Sequence, residues 1–294
     1  MTQAEALEIL KTGANVFLTG EPGSGKTHLV NQYVAYLRAN GIEPAITAST
    51  GIAATHIGGL TIHSWSGIGI RRDLTKYDLD HISQNRNIVR RVGKAHTLII
   101  DEVSMLSART LSLVEAVSRE IRRNQEPFGG LQVILVGDFF QLPPVVKANF
   151  ARRTQSTLFQ ELAACFAYDS PAWVRANPQV CYLTEQYRQD DSNFLTVLSA
   201  IRSNEFGDVH LSHLQKRTIK NQLVPAQALR LYSHNIDVDR VNNERLQKIE
   251  GKAQVFSMES HGPPPLVEAL KRGCLSPEHF SVKKGAAVMF TKNN

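Results

Sequence analysis

Cysteine is scarce: Cys165, Cys181 and Cys274 are the three in a chain of 294 residues. An odd number at such separations excludes a disulfide framework, and no pair has zinc-ligand spacing, so a reducing compartment is expected. Charge of one sign is not dominant either. Lys and Arg total 33 against 27 Asp and Glu, a net charge of +6 that favours a polyanionic partner without deciding on one. No apolar run approaches the length of a membrane span, so no membrane partner is expected. The opening segment MTQAEALEILKTGANVF lacks the charged-then-apolar leader pattern, and a soluble intracellular enzyme is expected. No internal repeat or low-complexity tract stands out. What remains is an ordinary globular composition, 42% hydrophobic and 20% charged, long enough for about two domains.

The apolar pattern switches between short continuous runs and helical spacing, which predicts an α/β fold with a largely parallel sheet. Strand candidates are Val16–Leu18, Ala45–Thr47, Leu98–Ile100 and Val133–Val136; their lack of alternation suits strands covered on both faces. Leu29, Val30, Tyr33, Val34 and Leu37 fall on one helical face, and Thr110, Leu113, Val114, Val117 and Ile121 on another. Past residue 177 the cycle restarts with Val180–Leu183, a helix around Phe194–Ile201 and a strand candidate at Leu229–Tyr232. A first domain over 1–177 and an incomplete second over 178–294 are therefore expected. The Pro-rich, mixed-charge stretch 251–285 reads as an irregular insertion, and Ala286–Phe290 as a last strand.

Residues 20–27 read GEPGSGKT, directly after the first strand candidate and opening a helix. This is the G-x-x-x-x-G-K-[ST] phosphate loop in the context its chemistry requires. Gly20, Glu21, Pro22, Gly23, Ser24 and Gly25 form the loop, whose glycines let backbone amides approach phosphate. The helix N-terminus adds partial positive charge. Lys26 is placed to reach the outer phosphates and Thr27 to hold Mg²⁺. The buried strand LIIDE then ends in Asp101, a metal holder, and Glu102, a base for the attacking water. An adjacent glutamate, with no guanine-reading NKxD motif, favours ATP over GTP. In VGDFFQLPPV (136–145), Asp138 and Gln141 emerge at the same strand-end edge, where Gln141 could sense the terminal phosphate; a polar turn stiffened by Pro143 and Pro144 is the plainer alternative. Arg188 in LTEQYRQ could act as an arginine finger, although a lone arginine is more often a solvated charge.

Taken together, GEPGSGKT, ASTGIAA (48–54), TIHSW (61–65), LIIDEVSML (98–106), VGDFFQLPPV and LTEQYR fall in the order of superfamily-one helicase motifs. The stretch EIRRNQEPFGGLQVILVGDFFQLPPV (120–145) resembles the signature of the Pif (petite integration frequency) helicases, relatives of RecD in superfamily 1B. RLYSHNIDVDRVNNERL (230–246) and KKGAAVMFTKN (283–293) resemble the start of that family's second domain. The resemblance implies two RecA-like domains, ATP and Mg²⁺ as cofactors, and 5′-to-3′ movement on single-stranded DNA. It implies unwinding at single-to-double-strand junctions and, in many members, of G-quadruplexes and RNA–DNA hybrids, with roles in DNA repair, recombination and telomere maintenance.

By the same resemblance Lys26, Thr27, Asp101, Glu102, Gln141 and Arg188 take the roles given above, and Gln3 is the adenine-reading glutamine. DNA contacts are expected from Thr50, Gly51, His63 and Trp65, and from His234 and Asn235 in the second domain. A core role for Trp65 and His63 is the competing reading. One or two of the pairs Arg71-Arg72, Arg90-Arg91, Arg122-Arg123 and Arg152-Arg153 are expected to line the groove. The segment near 147–157 is the candidate strand-separating wedge. A small SH3-like insertion and two later family motifs are absent, so a piece truncated before its C-terminal motifs is expected. The functional expectation is a helicase motor acting as a monomer, against a DNA-stimulated ATPase that remodels protein–DNA complexes or a weakly active binding fragment. Localisation would be cytoplasmic or nucleoid-associated in a bacterium, and nuclear or mitochondrial in a eukaryote.

Overall fold

Alternation of side chains across buried strands sets the layers of this molecule. The computed structural model describes residues 1–69, 71, 73–144, 166–187, 191–219, 228–264, 267–268, 271, 274 and 276–288. The chain divides into two units, 1–192 and 193–294.

In the first unit a six-stranded sheet runs in the order β3-β2-β4-β5-β1-β6. Its strands are β1 (Val16–Gly20), β2 (Ala45–Ala48), β3 (Leu60–Thr61), β4 (Thr97–Asp101), β5 (Gln132–Val136) and β6 (Gln179–Leu183). Every pairing is parallel. Successive side chains of a strand face opposite ways. Val16, Leu18, Ile99, Ile134 and Val136 therefore enter one core, beneath helices α1 (Gln3–Lys11) and α2 (Lys26–Ala39). Phe17, Leu98, Ile100, Val133 and Leu135 enter the other. That core is closed by α4 (Ile62–Ser66), α5 (Lys76–Gln84), α6 (Arg86–Lys94), α7 (Ala108–Arg122) and α8 (Pro171–Ala176), with the short α3 (Gly51–His56) following β2. The four strand candidates of the first domain and the parallel α/β class are as expected.

Local signals and packing divide the work of forming the helices. A capping box of Thr2 and Glu5 starts α1. Helix α2 begins after Gly25 with no side-chain cap, and its predicted stripe of Leu29, Val30, Tyr33, Val34 and Leu37 is buried in full. At about 1.5–3 kcal/mol per buried large apolar side chain, that stripe outweighs a missing cap of about 1 kcal/mol several-fold. Helix α7 starts at Ser107, whose side chain accepts from Thr110 N. It buries Leu111, Val114 and Val117, with Leu113 and Ile121 only partly covered, so its stripe is rotated slightly from the predicted one. The same helix buries Glu115, ion-paired with Arg175 at 2.9 Å and Arg119 at 3.2 Å, which ties α8 to α7.

The second unit, taken by itself, contains α9 (Ser192–Ser203), α10 (Asp208–Lys216), α11 (Asn235–Lys248) and an antiparallel pair, β7 (Gln254–Ser257) with β8 (His279–Val282). Three expectations are revised. The boundary lies at 192/193 instead of 177/178, because β6 pairs with β1 from Val16↔Gln179 to Gly20↔Leu183 and so completes the first sheet. Leu229–Tyr232 is not a strand; Leu229 and Leu231 are largely exposed, without the cover that a buried parallel strand requires. The stretch 251–285 is not wholly irregular, since β7 and β8 lie within it. A parallel sheet in this unit is not found among its described residues, and the candidate strand Ala286–Phe290 runs into residues outside the described set.

Candidate active site

The strand order brings the C-terminal ends of β4, β5, β1 and β6 together along one edge of the sheet. The end of β1 leads into GEPGSGKT. Gly20 has φ +151°, and a Cβ there would lie 2.7 Å from Leu183 O, because β6 runs alongside. Gly25 has φ +83°, and a Cβ there would meet Gln3 Nε2 at 2.1 Å. Only glycine suits both positions. Lys26 folds back over the loop, its Nζ donating to Gly20 O at 2.9 Å and Glu21 O at 3.1 Å. Ser24 is buried, with its Oγ unpartnered among the described residues. The loop borders a cleft of about 540 Å³ lined by Pro22, Gly23, Gly25, Lys26, Thr27, Glu102, Gln141 and Tyr187.

Strand β4 delivers the acidic pair. Glu102 adopts a left-handed conformation, φ 53° and ψ 45°, which costs a residue with a Cβ about 1 kcal/mol or more. Its backbone is fixed on both sides. Ser49 Oγ donates to Glu102 O at 2.7 Å, and Glu102 N donates to Asp101 Oδ1 at 2.9 Å. Burial pushes the Asp101 carboxyl above the usual carboxylate range, against the pull of the Glu102 amide and the Lys26 ammonium. Burial also raises Glu102, helped by the neighbouring Asp101 and Asp138 charges. Both carboxyl groups are thus held against burial, with the Lys26 ammonium the charge that pulls each of them down. Among the described residues, no three His, Cys, Asp or Glu side chains converge as a full metal cage. A partial shell from Thr27 and Asp101 suits Mg²⁺, which keeps waters and phosphate oxygens as its other ligands.

Strand β5 ends at Val136, and two residues on lies Asp138, which is 1% exposed. Its carboxylate accepts from Phe140 N at 3.1 Å and more weakly from Gln141 Nε2 at 3.4 Å. Gln141 N also donates to Asp138 O at 2.9 Å, so the turn that presents Gln141 to the cleft is held by Asp138. Phe139 anchors the same turn from below. Its ring lies 4.8 Å from Tyr168, 5.2 Å from Phe17, 5.8 Å from Phe166 and 5.9 Å from Trp173.

The fourth segment, 184–187, follows β6 and lies along the loop. Gln3 N donates to Glu185 Oε2 at 3.1 Å, Gln186 Nε2 to Glu21 Oε2 at 3.0 Å, and Tyr187 N to Gly23 O at 3.0 Å. Gln3 Nε2 reaches Ser24 O at 3.4 Å, so the glutamine expected to read adenine sits beside the loop. Tyr187, 64% exposed, lines the cleft and was not singled out from the sequence. The available signal was one aromatic immediately ahead of Arg188 in an otherwise polar run. Arg188 lies outside the described residues, as do the wedge candidate 147–157, Arg72 and the Arg152-Arg153 pair.

The residues expected to touch DNA divide into different roles. Thr50 caps α3, its Oγ1 accepting from Ala53 N, and Gly51 is that helix's first residue. His63 is partly buried on α4, and burial lowers its pKa, which keeps the ring neutral near pH 7. Trp65 is 3% exposed and packs in the core with Ile62 and Ile68, so the expected stacking face is not available; the competing core reading holds. Arg91 is likewise structural. Its Nε donates to Trp65 O at 2.6 Å and its Nη2 to Ser64 O, closing the C-terminus of α4. Arg122 is spent on Gly129 O at 2.6 Å and Ala95 O at 2.7 Å. Arg90 and Arg123 remain exposed. In the second unit His234 precedes α11 and shares a 2.9 Å hydrogen bond with Ser233 Oγ, while Asn235 is that helix's first residue.

Comparison with known proteins gives a consistent family. A family model described as PIF1-like helicase matches residues 3–221. The ATP-dependent DNA helicase Pif1 of Psychrobacter sp. is 44% identical over 300 residues, covering 100% of this chain and 44% of that protein. This chain thus spans under half the length of that relative. The crystal structure of Pif1 helicase from Candida albicans superimposes with a TM-score of 0.78 at 30% identity, over 97% of this chain and 63% of that one. A Pif1 helicase from Bacteroides in complex with ADP-AlF3 and ssDNA matches with a TM-score of 0.67 at 26% identity, over 96% and 64% of the two chains. These likenesses agree with the RecA-like α/β class expected from the sequence.

Proposed function

Because the chain belongs to the PIF1-like helicase family, we propose that it is the nucleotide- and DNA-handling core of an ATP-driven, 5′-to-3′ DNA helicase. The observation that carries this reading is a cleft lined together by Lys26, Thr27, Glu102 and Gln141. These residue types come from three separate strand ends, and phosphoryl transfer to water uses all of them. The Lys26 ammonium leaves the Gly20 and Glu21 carbonyls for the outer phosphates of ATP, exchanging neutral acceptors for anionic ones. Glu102 takes the proton of the attacking water. Its fixed left-handed backbone aims the carboxylate without reorganisation at the moment of reaction. Gln141, steadied by Asp138, contacts the terminal phosphate. Tyr187 and Gln3 border the same loop and offer a ring face and an amide to the base. The donors present fit Mg²⁺, with Thr27 and Asp101 as its holders; when bound, the ion supplies charge stabilisation to the phosphoryl oxygens.

The related Bacteroides protein is a complex with single-stranded DNA, and we carry that partner over to this chain, together with strand junctions. G-quadruplex unwinding and action as a monomer belong to the same proposal. Exposed Arg90, partly exposed His63, and His234 are the contacts we assign to the DNA backbone and bases.

The test is ATP turnover by this chain and by Lys26→Ala, each with and without oligo-dT. Turnover that rises with DNA and vanishes in the variant supports a coupled motor site. Tight binding of ATP and oligo-dT without turnover would reduce the chain to a binding core. Absence of any ATP binding would overturn the reading.

A further inference from the structure

Gln3 and Tyr187 come from opposite ends of the first unit and meet over one point of the phosphate loop. A Cβ built on Gly25 would lie 2.1 Å from Gln3 Nε2 and 3.4 Å from Tyr187 Cδ2. An amide and an aromatic ring therefore flank the same spot, and the ring goes on to line the cleft. Neither side chain is enclosed. Gln3 Nε2 makes a long hydrogen bond of 3.4 Å to Ser24 O, and Tyr187 is 64% exposed.

One carboxylate contacts both residues. Glu185 Oε2 accepts from Gln3 N at 3.1 Å, across 182 positions of sequence. Gln3 opens α1, so its amide is one of the first-turn donors with no partner inside the helix. The Thr2–Glu5 capping box takes Thr2 N and Glu5 N, which leaves Gln3 N to Glu185. A carboxylate placed there also meets the positive end of the helix dipole. The same carboxylate accepts from the Tyr187 hydroxyl. Lost hydration first, then this bond and the Glu185 charge, hold the Tyr187 phenol above its ordinary pKa. Glu185 itself does not line the cleft.

Backbone contacts keep both segments in place whatever side chain residue 185 carries. Thr184 N donates to Met1 O at 3.3 Å, and Tyr187 N to Gly23 O at 3.0 Å. The Glu185 side chain thus governs the fine placement of amide and ring, and its removal leaves the fold intact.

We propose that Glu185 is a positioning residue for base recognition, holding the first turn of α1 and the Tyr187 ring so that Gln3 and Tyr187 present an amide and a ring face to the same base. The proposal rests on the nucleotide reading above and deepens it. Glu185→Ala weakens ATP binding about fivefold, the worth of one net hydrogen bond. Inorganic triphosphate, which has no base, binds the same variant within about twofold of the unchanged chain. The preference for ATP over GTP narrows. Glu185→Gln keeps an acceptor oxygen for both donors, and its ATP affinity stays within about twofold.

The experiment is titration calorimetry of the whole chain, Glu185→Ala, Glu185→Gln, Gln3→Ala and Gln3→Ala/Glu185→Ala with ATP, GTP and inorganic triphosphate. Expected are a loss confined to ATP in Glu185→Ala, its absence in Glu185→Gln, and a smaller cost of Glu185→Ala once Gln3 is alanine. A Glu185→Ala chain that binds ATP as tightly as the unchanged one overturns the proposal. So does an equal loss of ATP and inorganic triphosphate, which would mark Glu185 as merely structural. A Glu185→Gln chain as weak as Glu185→Ala, or an undiminished cost in the Gln3→Ala background, also refutes it. If the unchanged chain binds neither ATP nor inorganic triphosphate, the nucleotide reading itself has failed and the role of Glu185 falls with it.

Discussion

Replacing Phe139 tests whether the turn that presents Gln141 is held by the aromatic cluster beneath it. The ring packs against Tyr168, Phe17, Phe166 and Trp173 with centroids 4.8–5.9 Å apart, mostly edge to face. Phe→Ala in a closed core costs about 3–5 kcal/mol. Phe139 is only partly buried, so Phe139→Ala is expected near 2–3 kcal/mol, roughly the lower end of that range. Phe139→Leu keeps most of the volume and loses the ring geometry; at about 0.5–1.5 kcal/mol per aromatic pair, with partial compensation, it should cost roughly 1–2 kcal/mol. For a unit of this size each kcal/mol shifts the melting temperature by about 2–4 °C. Melting should therefore drop by about 5–10 °C for the alanine and about 3–6 °C for the leucine. Calorimetry on the unliganded chain measures this directly. The functional consequence is separable. Phe139 adjoins Asp138, whose carboxylate accepts from Phe140 N and Gln141 Nε2 and so holds the turn that presents Gln141. At a temperature where the variants remain folded, kcat for ATP should fall while KM stays nearly constant. A Phe139→Ala chain melting within about 2 °C of the parent would refute the packing argument. A clear melting shift with unchanged kcat would refute the link from packing to Gln141.

Gly25→Ala should abolish nucleotide binding in a fluorescence titration while leaving the far-ultraviolet circular dichroism intact, since the added Cβ would lie 2.1 Å from Gln3 Nε2 at φ +83°; retained binding would mean that Gln3 moves freely. His63 gives a pH test with a definite sign. Burial lowers its pKa in the folded chain, so the unfolded chain takes up more protons below its ordinary value of about 6.5. Its contribution to stability is present above that value and is lost as pH falls towards the folded pKa. Denaturant midpoints measured from pH 8 to 5 should show this loss, and His63→Gln should flatten that part of the curve.

Sequence patterns carried the first unit because its signals are local or strictly spaced. Val16–Leu18, Leu98–Ile100 and Val133–Val136 needed only composition and run length. The phosphate loop needed only its glycines and Lys26-Thr27. What failed depended on partners distant in sequence. Val180–Leu183 has the composition of a strand in any domain, and only its register against Val16–Gly20 assigns it to the first sheet. Trp65 sits in TIHSW beside partly exposed His63, and the burial that separates them follows from α4 packing against α6 and α7, which no local pattern records. Arg91 and Arg122 belong to residue pairs that look like groove-lining charge, yet both are consumed by helix-terminal and loop carbonyls. A guanidinium that ends a helix cannot be told from a solvated one without knowing which carbonyls are orphaned.

The order of strands explains why residues scattered over more than half the chain act at one cleft. Along the sheet edge the neighbours are β4, β5, β1 and β6, so the acidic pair, the Gln141 turn, the phosphate loop and the 184–187 segment emerge in that order. Parallel strands lie about 4.8 Å apart, and all four leave the sheet at the same end. A ligand about 15 Å long laid across the edge therefore meets an acid, an amide, a cation-bearing loop and an aromatic in turn. Strand β2 is three places from β1, and β3 four, which puts Thr50, Gly51 and His63 roughly 14–19 Å along the edge from the loop. They cannot share a phosphate with Lys26. Their connection to the chemistry runs through Ser49, which follows β2 and donates both its Oγ to Glu102 O and its N to Asp101 O. The residues expected to face DNA thus begin one position beyond the side chain that fixes the Glu102 backbone.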